Sequence, residues 1–420
     1  CYLAFSPLFL DKQNATHLDS LLVATAFGLL AAGLLYVFSA VVGINGAVVV
    51  PIVFFGLAAI NLWKFRVTLL PRVALSKPLA EGVALLLFLG FSGAALIGSV
   101  MMGLGDYPQV FFNIDTPLRL THAHEILGLT EFPQESLTTK GIYRSYHYGG
   151  PAAAATLSAI TGLPVHKSQF LAVSPLLLVG SFSAVWLLCR SILSNRIHQM
   201  IAVALFLPFV GLGMESYYKY IYTAHVHGMD VLVKFMDGFL PIDFSDSDNL
   251  ENFGGGVWNI SQIASIFVLL CAAVFLTQRK TLYVAVAAPL LVLLTVFSRI
   301  AFMPAVSVLV GIRLAMSWRC YTKIQIFWYV VISAVIGVLA LKGLGVFGAV
   351  GGSVTLKPAD DIWRSLSWMN EKIWNRQEWL IVEVLSVLLG SLIYTMLYFI
   401  APAVHREPRG IPLVIGALTA

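Results

Sequence analysis

Asp115, Arg119, His122, His124 and Glu125 stand within eleven residues of one another, in the stretch FFNIDTPLRLTHAHEILGL at 111–129. A carboxylate within hydrogen-bond reach of a hydroxyl or amide acts as a general base. A guanidinium forks onto phosphate or carboxylate oxygens, and an imidazole exchanges protons near neutral pH. Read as a helix over 115–129, the stretch puts Asp115, Arg119 and His122 at i, i+4 and i+7, on one side. Leu118, Leu120, Ile126, Leu127 and Leu129 make an apolar side, so the helix is expected to lie in a membrane interface. Asp115 suits the helix N-terminus, where a carboxylate meets the positive end of the dipole, and Pro117 suits an early helical position. A plain N-cap is the competing reading of Asp115.

Other polar residues are set in similar places. Arg299, in TVFSRIAFMP, falls between two short apolar runs, at the tip of a hairpin and at the depth of a lipid phosphate. Its alternative is an arginine that snorkels to headgroups. Arg119 and Arg144 are weaker phosphate ligands of the same kind, and His122, His124 and His147 are candidate bases or hydrogen-bond donors beside the ordinary solvated reading. In GGGVWNISQ, 254–262, Trp258 suits an aromatic belt, and Asn259, Ser261 and Gln262 are placed to bind hydroxyl groups at the mouth of a bundle. His225, His227 and Asp230 cluster in YTAHVHGMD, and H-x-H chelates a divalent metal in an extended strand, but nothing fixes the remaining ligands. No metal site or cofactor is assigned. The acidic run PIDFSDSDNLEN lacks the glycine and final glutamate of a calcium loop and reads as solvated loop.

The elements that must position these groups are apolar. Of 420 residues, 59% are hydrophobic and 11% charged, against about 25% charged in soluble domains, and the mean hydropathy is +0.86. About 20 apolar residues span a bilayer as a helix. Runs of that kind fall at 21–42, 46–63, 82–101, 169–189, 198–213, 257–277, 281–298, 300–316, 325–342 and 379–400. The fold class is therefore an all-α polytopic membrane protein with about 10 or more transmembrane helices. The net charge of +5 does not signal nucleic acid, because in such a protein the placement of Lys and Arg matters more than their sum. Every second loop is basic: Lys64, Arg66, Arg72 and Lys77; Arg190 and Arg196; Arg279 and Lys280; Arg313, Arg319 and Lys323; Arg406 and Arg409. The long segments 102–168, 214–256 and 343–378 lie on the other face and hold 16 of the 21 acidic residues. Glu383 is the one acid inside an expected span, which argues against an ion-coupled transporter. Cys1, Cys189, Cys271 and Cys320 build no disulfide framework in the outer segments. The start at Cys1 and the apolar end IPLVIGALTA read as a piece of a longer chain.

The order of span, acidic residue, short interfacial helix, aromatic-rich loop, second short helix and span resembles the GT-C superfamily of membrane glycosyltransferases. DTPLRLTHAHEIL looks like that family's Asp-initiated first-loop helix. YHYGGPAAAATLSAITGLP, with its second helix at 149–164, looks like the aromatic-proline stretch leading to L-x-G-L-P. The loop FPQESLTTKGIYRSYHY joins the two. The likeness covers about 60 residues closely and the layout of 82–316 in outline. Thr116 stands where the common Asp-Glu pair has its second acid, and more than one span precedes the loop. The resemblance implies transfer of a sugar from a polyprenyl-phosphate donor to an acceptor on the extracytoplasmic face, in a bacterial inner membrane, with Asp115 as general base. It implies that a polyprenyl-phosphate sugar and membrane lipids are the partners. It divides the chain into N-terminal helices at 1–81, a GT-C-like core at 82–316 and C-terminal helices at 317–420.

Two other classes remain open. A non-catalytic subunit of a larger membrane complex, with other membrane subunits as partners, would keep such a fold without the chemistry. A polysaccharide polymerase or ligase would place paired arginines in a late outer loop, where Lys357, Arg364 and Arg376 form no clear pair. The charge pattern itself is testable. Cysteines introduced at Ser136 and Ser245 should both react with an impermeant label from the face opposite Arg66, Arg190, Arg279 and Arg319; reaction of only one contradicts this topology.

Overall fold

The computed structural model describes residues 1–9, 17–65, 115–128, 135–136, 139–143, 148–193, 197–203, 260–277 and 281–298, with isolated positions at 82–104, 195 and 306–331. The helices are α1 (Tyr2–Phe9), α2 (His17–Val41), α3 (Gly46–Phe65), α4 (Asp115–Leu127), α5 (Gly149–Thr161), α6 (Val165–Lys167), α7 (Ser174–Ile192), α8 (Ile260–Thr277) and α9 (Thr281–Ser298), with a π-helical turn, Ser168–Val173, joining α6 to α7. Among the described residues, three helices are long and apolar enough to cross a membrane: Leu21–Ala40, Gly46–Trp63 and the continuous Val165–Arg190. The expected span 379–400 and the segments 214–256 and 343–378 lie outside the described residues, as do most of 82–101, 198–213, 300–316 and 325–342.

Helices α2 and α3 form a tight hairpin whose turn is written in VVGING. Gly43 takes φ 72°, a left-handed conformation that glycine adopts without a Cβ clash. Its N–H donates to the Ala40 carbonyl at 3.0 Å, and the Ile44 N–H to that of Ser39 at 2.8 Å. That pair of bonds closes the helix end in a Schellman motif. Asn45 then caps α3, its side-chain oxygen accepting from the Ala47 N–H at 2.9 Å.

Helix α2 is the hub, packed against α1, α3, α5, α7, α8 and α9. No hydrophobic force draws helices together in lipid, so close van der Waals contact must do it, and small residues permit that contact. A Cβ at Gly28 would stand 2.8 Å from the Cys1 Cβ, and one at Gly180 would stand 2.7 Å from the Ala26 Cβ. A Cβ at Gly33 would stand 2.7 Å from the Ala153 backbone nitrogen of α5. Helix α5, GGPAAAATLSAIT, answers with its own small residues; Ala152, Ala153, Ala154 and Ala155 are each 0% exposed. The first two turns of this helix are covered all round by protein, whereas Ile160 near its end is 45% exposed. It ends one residue before Gly162, whose φ of 74° and N–H bond to the Ser158 carbonyl terminate it, three residues short of the 149–164 expected.

Proline frees carbonyls in this bundle, and side chains recover them. Pro7 in α1 has no N–H for the Leu3 carbonyl; the buried Asn61 of α3 donates to the Leu3 and Ala4 oxygens at 2.8 and 2.7 Å. The π-helical turn has the same origin. Ser174 N–H donates to the Gln169 carbonyl, five residues back. The next bond of that register would come from Pro175, which has no hydrogen to give. The Phe170 carbonyl instead accepts from the Ser99 hydroxyl at 2.7 Å. The membrane helix therefore starts at Val165, earlier than the 169 read from hydropathy, because the polar HKS at 166–168 is built into its first turns.

Two expectations are corrected. The loop between the short helices contains an antiparallel hairpin, Glu135–Ser136 with Thr139–Tyr143, where TTKGIY supplies β-branched and aromatic residues around a turn. Helix α4 does not turn its apolar side alone to its support: it docks on α5 and α6 through a stripe that includes Arg119 and His122 as well as Leu120, Ala123 and Ile126.

The glycine contacts give a direct test. Gly33→Leu should lower the thermal midpoint of the purified protein, since overpacking costs about 1–3 kcal/mol or more. Gly56→Leu should leave it unchanged, because nothing lies within 4 Å of a Cβ there. Equal midpoints for both variants contradict the α2–α5 contact.

Candidate functional site

Helix α4 begins at Asp115 and carries a buried polar stripe. Arg119 is 3% exposed, His122 0% and Glu125 5%, whereas His124 is exposed. Charged side chains are almost never so buried unless neighbours engage them, and all three are engaged in this structure. The stripe presses on the start of α5. Tyr148, the residue preceding that helix, is 4% exposed. Its ring lies 6.2 Å from the His122 ring at 51° and 6.3 Å from the Phe297 ring at 31°, within the range of favourable aromatic contact.

Three further elements meet at this point. A Cβ on Gly149 would stand 3.0 Å from the Ser298 Cα, at the last residue of α9, and closer still to the Ser298 Oγ. A Cβ on Gly150 would stand 2.8 Å from the carbonyl oxygen of Ile260, the first residue of α8. The two glycines therefore let the beginning of α5 wedge between the beginning of α8 and the end of α9. The C-terminal part of α2 borders the same end, where the Tyr36 hydroxyl donates to the Leu127 carbonyl of α4 at 3.4 Å.

This junction gathers the sequence candidates unevenly. Arg119 and His122 are inside it. Asp115 takes the first position of α4 and Gln262 the first turn of α8, but their side chains lie outside the described residues, as do His147, Arg144, Asn259 and Arg299 altogether. In the chain, His147 precedes Tyr148, Asn259 precedes Ile260 and Arg299 follows Ser298. Tyr148 and Ser298 were not among the sequence candidates, and the buried Glu125 stood with its neighbours in the 111–129 stretch without a role of its own. The signal for Tyr148 was an aromatic residue set directly before Gly-Gly-Pro at a helix start; for Ser298 it was adjacency to Arg299.

Chemically, the junction combines a guanidinium, an imidazole, a phenol and a carboxylate in a cover of apolar side chains, where electrostatic effects exceed those in water. Among the described residues no group of three His, Cys, Asp or Glu is placed to hold a metal ion. Comparison with known proteins returns no matching family model, no matching curated protein and no matching solved structure.

Tyr148 is the shared neighbour of α4 and α9, so its loss should loosen both. Tyr148→Ala should destabilise the fold by about 3–5 kcal/mol, as large aromatic truncations do, while Tyr148→Phe keeps the ring contacts and should cost much less. Thermal unfolding of the two variants checks this; equal, small effects would place Tyr148 outside the packing.

Proposed function

We propose that the chain is a membrane glycosyltransferase that moves a sugar from a polyprenyl-phosphate donor to an acceptor on the extracytoplasmic face. The observation that supports it most is the meeting of α4, the start of α5, the start of α8 and the end of α9 at one end of the bundle. Apart from Arg144, the residues chosen for sugar transfer from their sequence positions alone belong to α4 or to the other three termini, or adjoin them in the chain.

In this reading Asp115 takes the proton from the acceptor hydroxyl or amide as that atom attacks the anomeric carbon. The bond from that carbon to the phosphate oxygen breaks, and the polyprenyl phosphate leaves with the electron pair. Arg299, with Arg119 and Arg144, offsets the charge on the departing phosphate. Asn259 and Gln262 hydrogen-bond the sugar, and His122 and His147 assist proton movement. The location that follows is a bacterial plasma membrane, with the long segments extracytoplasmic.

A second reading draws on a specific feature. Arg119, His122 and Glu125 are closed in by protein, as expected if the same fold serves as a non-catalytic subunit of a larger membrane assembly. Transfer of labelled sugar from a polyprenyl-phosphate donor by purified wild type and Asp115→Asn separates the two. Asparagine keeps the size and most capping ability but cannot accept the proton. The rate should fall by at least about 10²-fold, the lower range of general-base catalysis, with the protein still folded. A capping role alone would cost about 0.5–2 kcal/mol of stability and leave activity per folded molecule intact. Equal rates remove Asp115 from the mechanism and favour the accessory subunit.

A further inference from the structure

The first turn of α5 is Gly149-Gly150-Pro151, and all three residues are buried. First-turn N–H groups have no acceptor within their own helix. The Ala152 N–H donates to the Tyr148 carbonyl at 2.7 Å and Pro151 has no N–H, which leaves those of Gly149 and Gly150. No side chain caps this end. An uncapped helix N-terminus is a common packing feature and would mean little alone, but a second observation points to the same place. Ser298 is 0% exposed, and its hydroxyl, buried without a hydrogen-bond partner, lies against Gly149. Some buried hydroxyls on these helices bond to the carbonyl one turn back, as Thr295 does to Leu291 at 2.7 Å and Ser181 to Leu177 at 2.8 Å, whereas those of Ser168, Ser174 and Ser183 have no partner. Ser298, one turn beyond Thr295, belongs to the second group and is the one that lies against the start of α5.

We infer that the Gly149 and Gly150 N–H groups and the Ser298 hydroxyl form a binding site for a phosphate group. The donors are two fixed N–H groups and a rotatable O–H, with the positive end of the α5 dipole behind them. Such a set favours an anion with several oxygens over a neutral ligand. The absence of a Cβ at 149 and 150 lets the helix backbone come close to its neighbours here. The surroundings are apolar, with Ile260 at 0% and Phe297 at 1% exposure, which suits a phosphate carried on a hydrocarbon chain. The choice of a polyprenyl carrier rests on the glycosyltransferase reading; the choice of a phosphate does not.

The test is equilibrium binding to the full chain in detergent micelles, with polyprenyl monophosphate, polyprenol lacking the phosphate, phosphatidic acid and inorganic phosphate as separate probes. Wild type should bind polyprenyl monophosphate at least about tenfold more tightly than polyprenol, since a hydrogen bond to a charged group carries at least that factor. Ser298→Ala should lose about tenfold for the phosphate probe and nothing for polyprenol, and Ser298→Thr should restore binding. Equal affinity of wild type for polyprenol and its monophosphate overturns the inference without recourse to any variant. So does an unchanged affinity in folded Ser298→Ala. Equal binding of phosphatidic acid or inorganic phosphate supports the phosphate site and overturns the polyprenyl carrier. Tight binding of polyprenyl monophosphate with no sugar transfer keeps the site and sinks the transferase reading, so the two failures are told apart.

Discussion

Gly33 of α2 meets the backbone of Ala152 and Ala153 at 2.9 and 2.7 Å from the place a Cβ would occupy, and the rest of the arrangement hangs on that approach. Helix α5 has thirteen residues, too few to cross a bilayer. It holds its depth because protein surrounds it: α2 at Gly33, α8 at Gly150, α9 at Gly149 and α4 along its flank. Lipid would not drive this packing, so backbone proximity and dispersion must. A bulkier α5 would stand away from α2 and carry Tyr148 off His122 and Phe297. The site and the packing thus share residues, and the glycines that open α5 serve both.

The same low-dielectric setting dictates how polar groups are treated. An unsatisfied carbonyl among apolar helices costs several kcal/mol, and a proline beyond the first turn of a helix creates one. Asn61 answers Pro7, and Ser99 answers Pro175 across the π-helical turn. Both are contacts between distant parts of the chain, so they fix helix positions as well as satisfy backbone. Against that background of compensation, the hydroxyls of Ser168, Ser174, Ser183 and Ser298 are buried and bonded to nothing, and that of Ser298 lies against the first residue of α5.

The apolar runs at 21–42 and 46–63 were legible as helices because length and hydropathy alone specify them, and VVGING marks the turn between them. Asp115 as the start of a short helix was legible from its dipole-suited carboxylate and Pro117. Depth was not legible. Spacing puts Arg119 and His122 on one side of α4 but does not say whether that side meets water or protein. The neighbour that buries them, α5, is defined by its small residues, which hydropathy scores poorly. The π-helical turn was hidden as well, since the carbonyl left open at Phe170 is met by Ser99, far away in sequence. Tyr148 and Ser298 could be singled out only once α4, α5, α8 and α9 were seen to converge.

The central claim is that those four helix ends form one site that takes a phosphate-headed lipid. A cryo-electron-microscopy map of the full chain with added polyprenyl monophosphate tests it most directly. The account predicts phosphate density at Gly149, Gly150 and Ser298, with Asp115 and Arg299 facing the same cavity. Density for the phosphate at another place on the bundle, away from Gly149, Gly150 and Ser298, would contradict it.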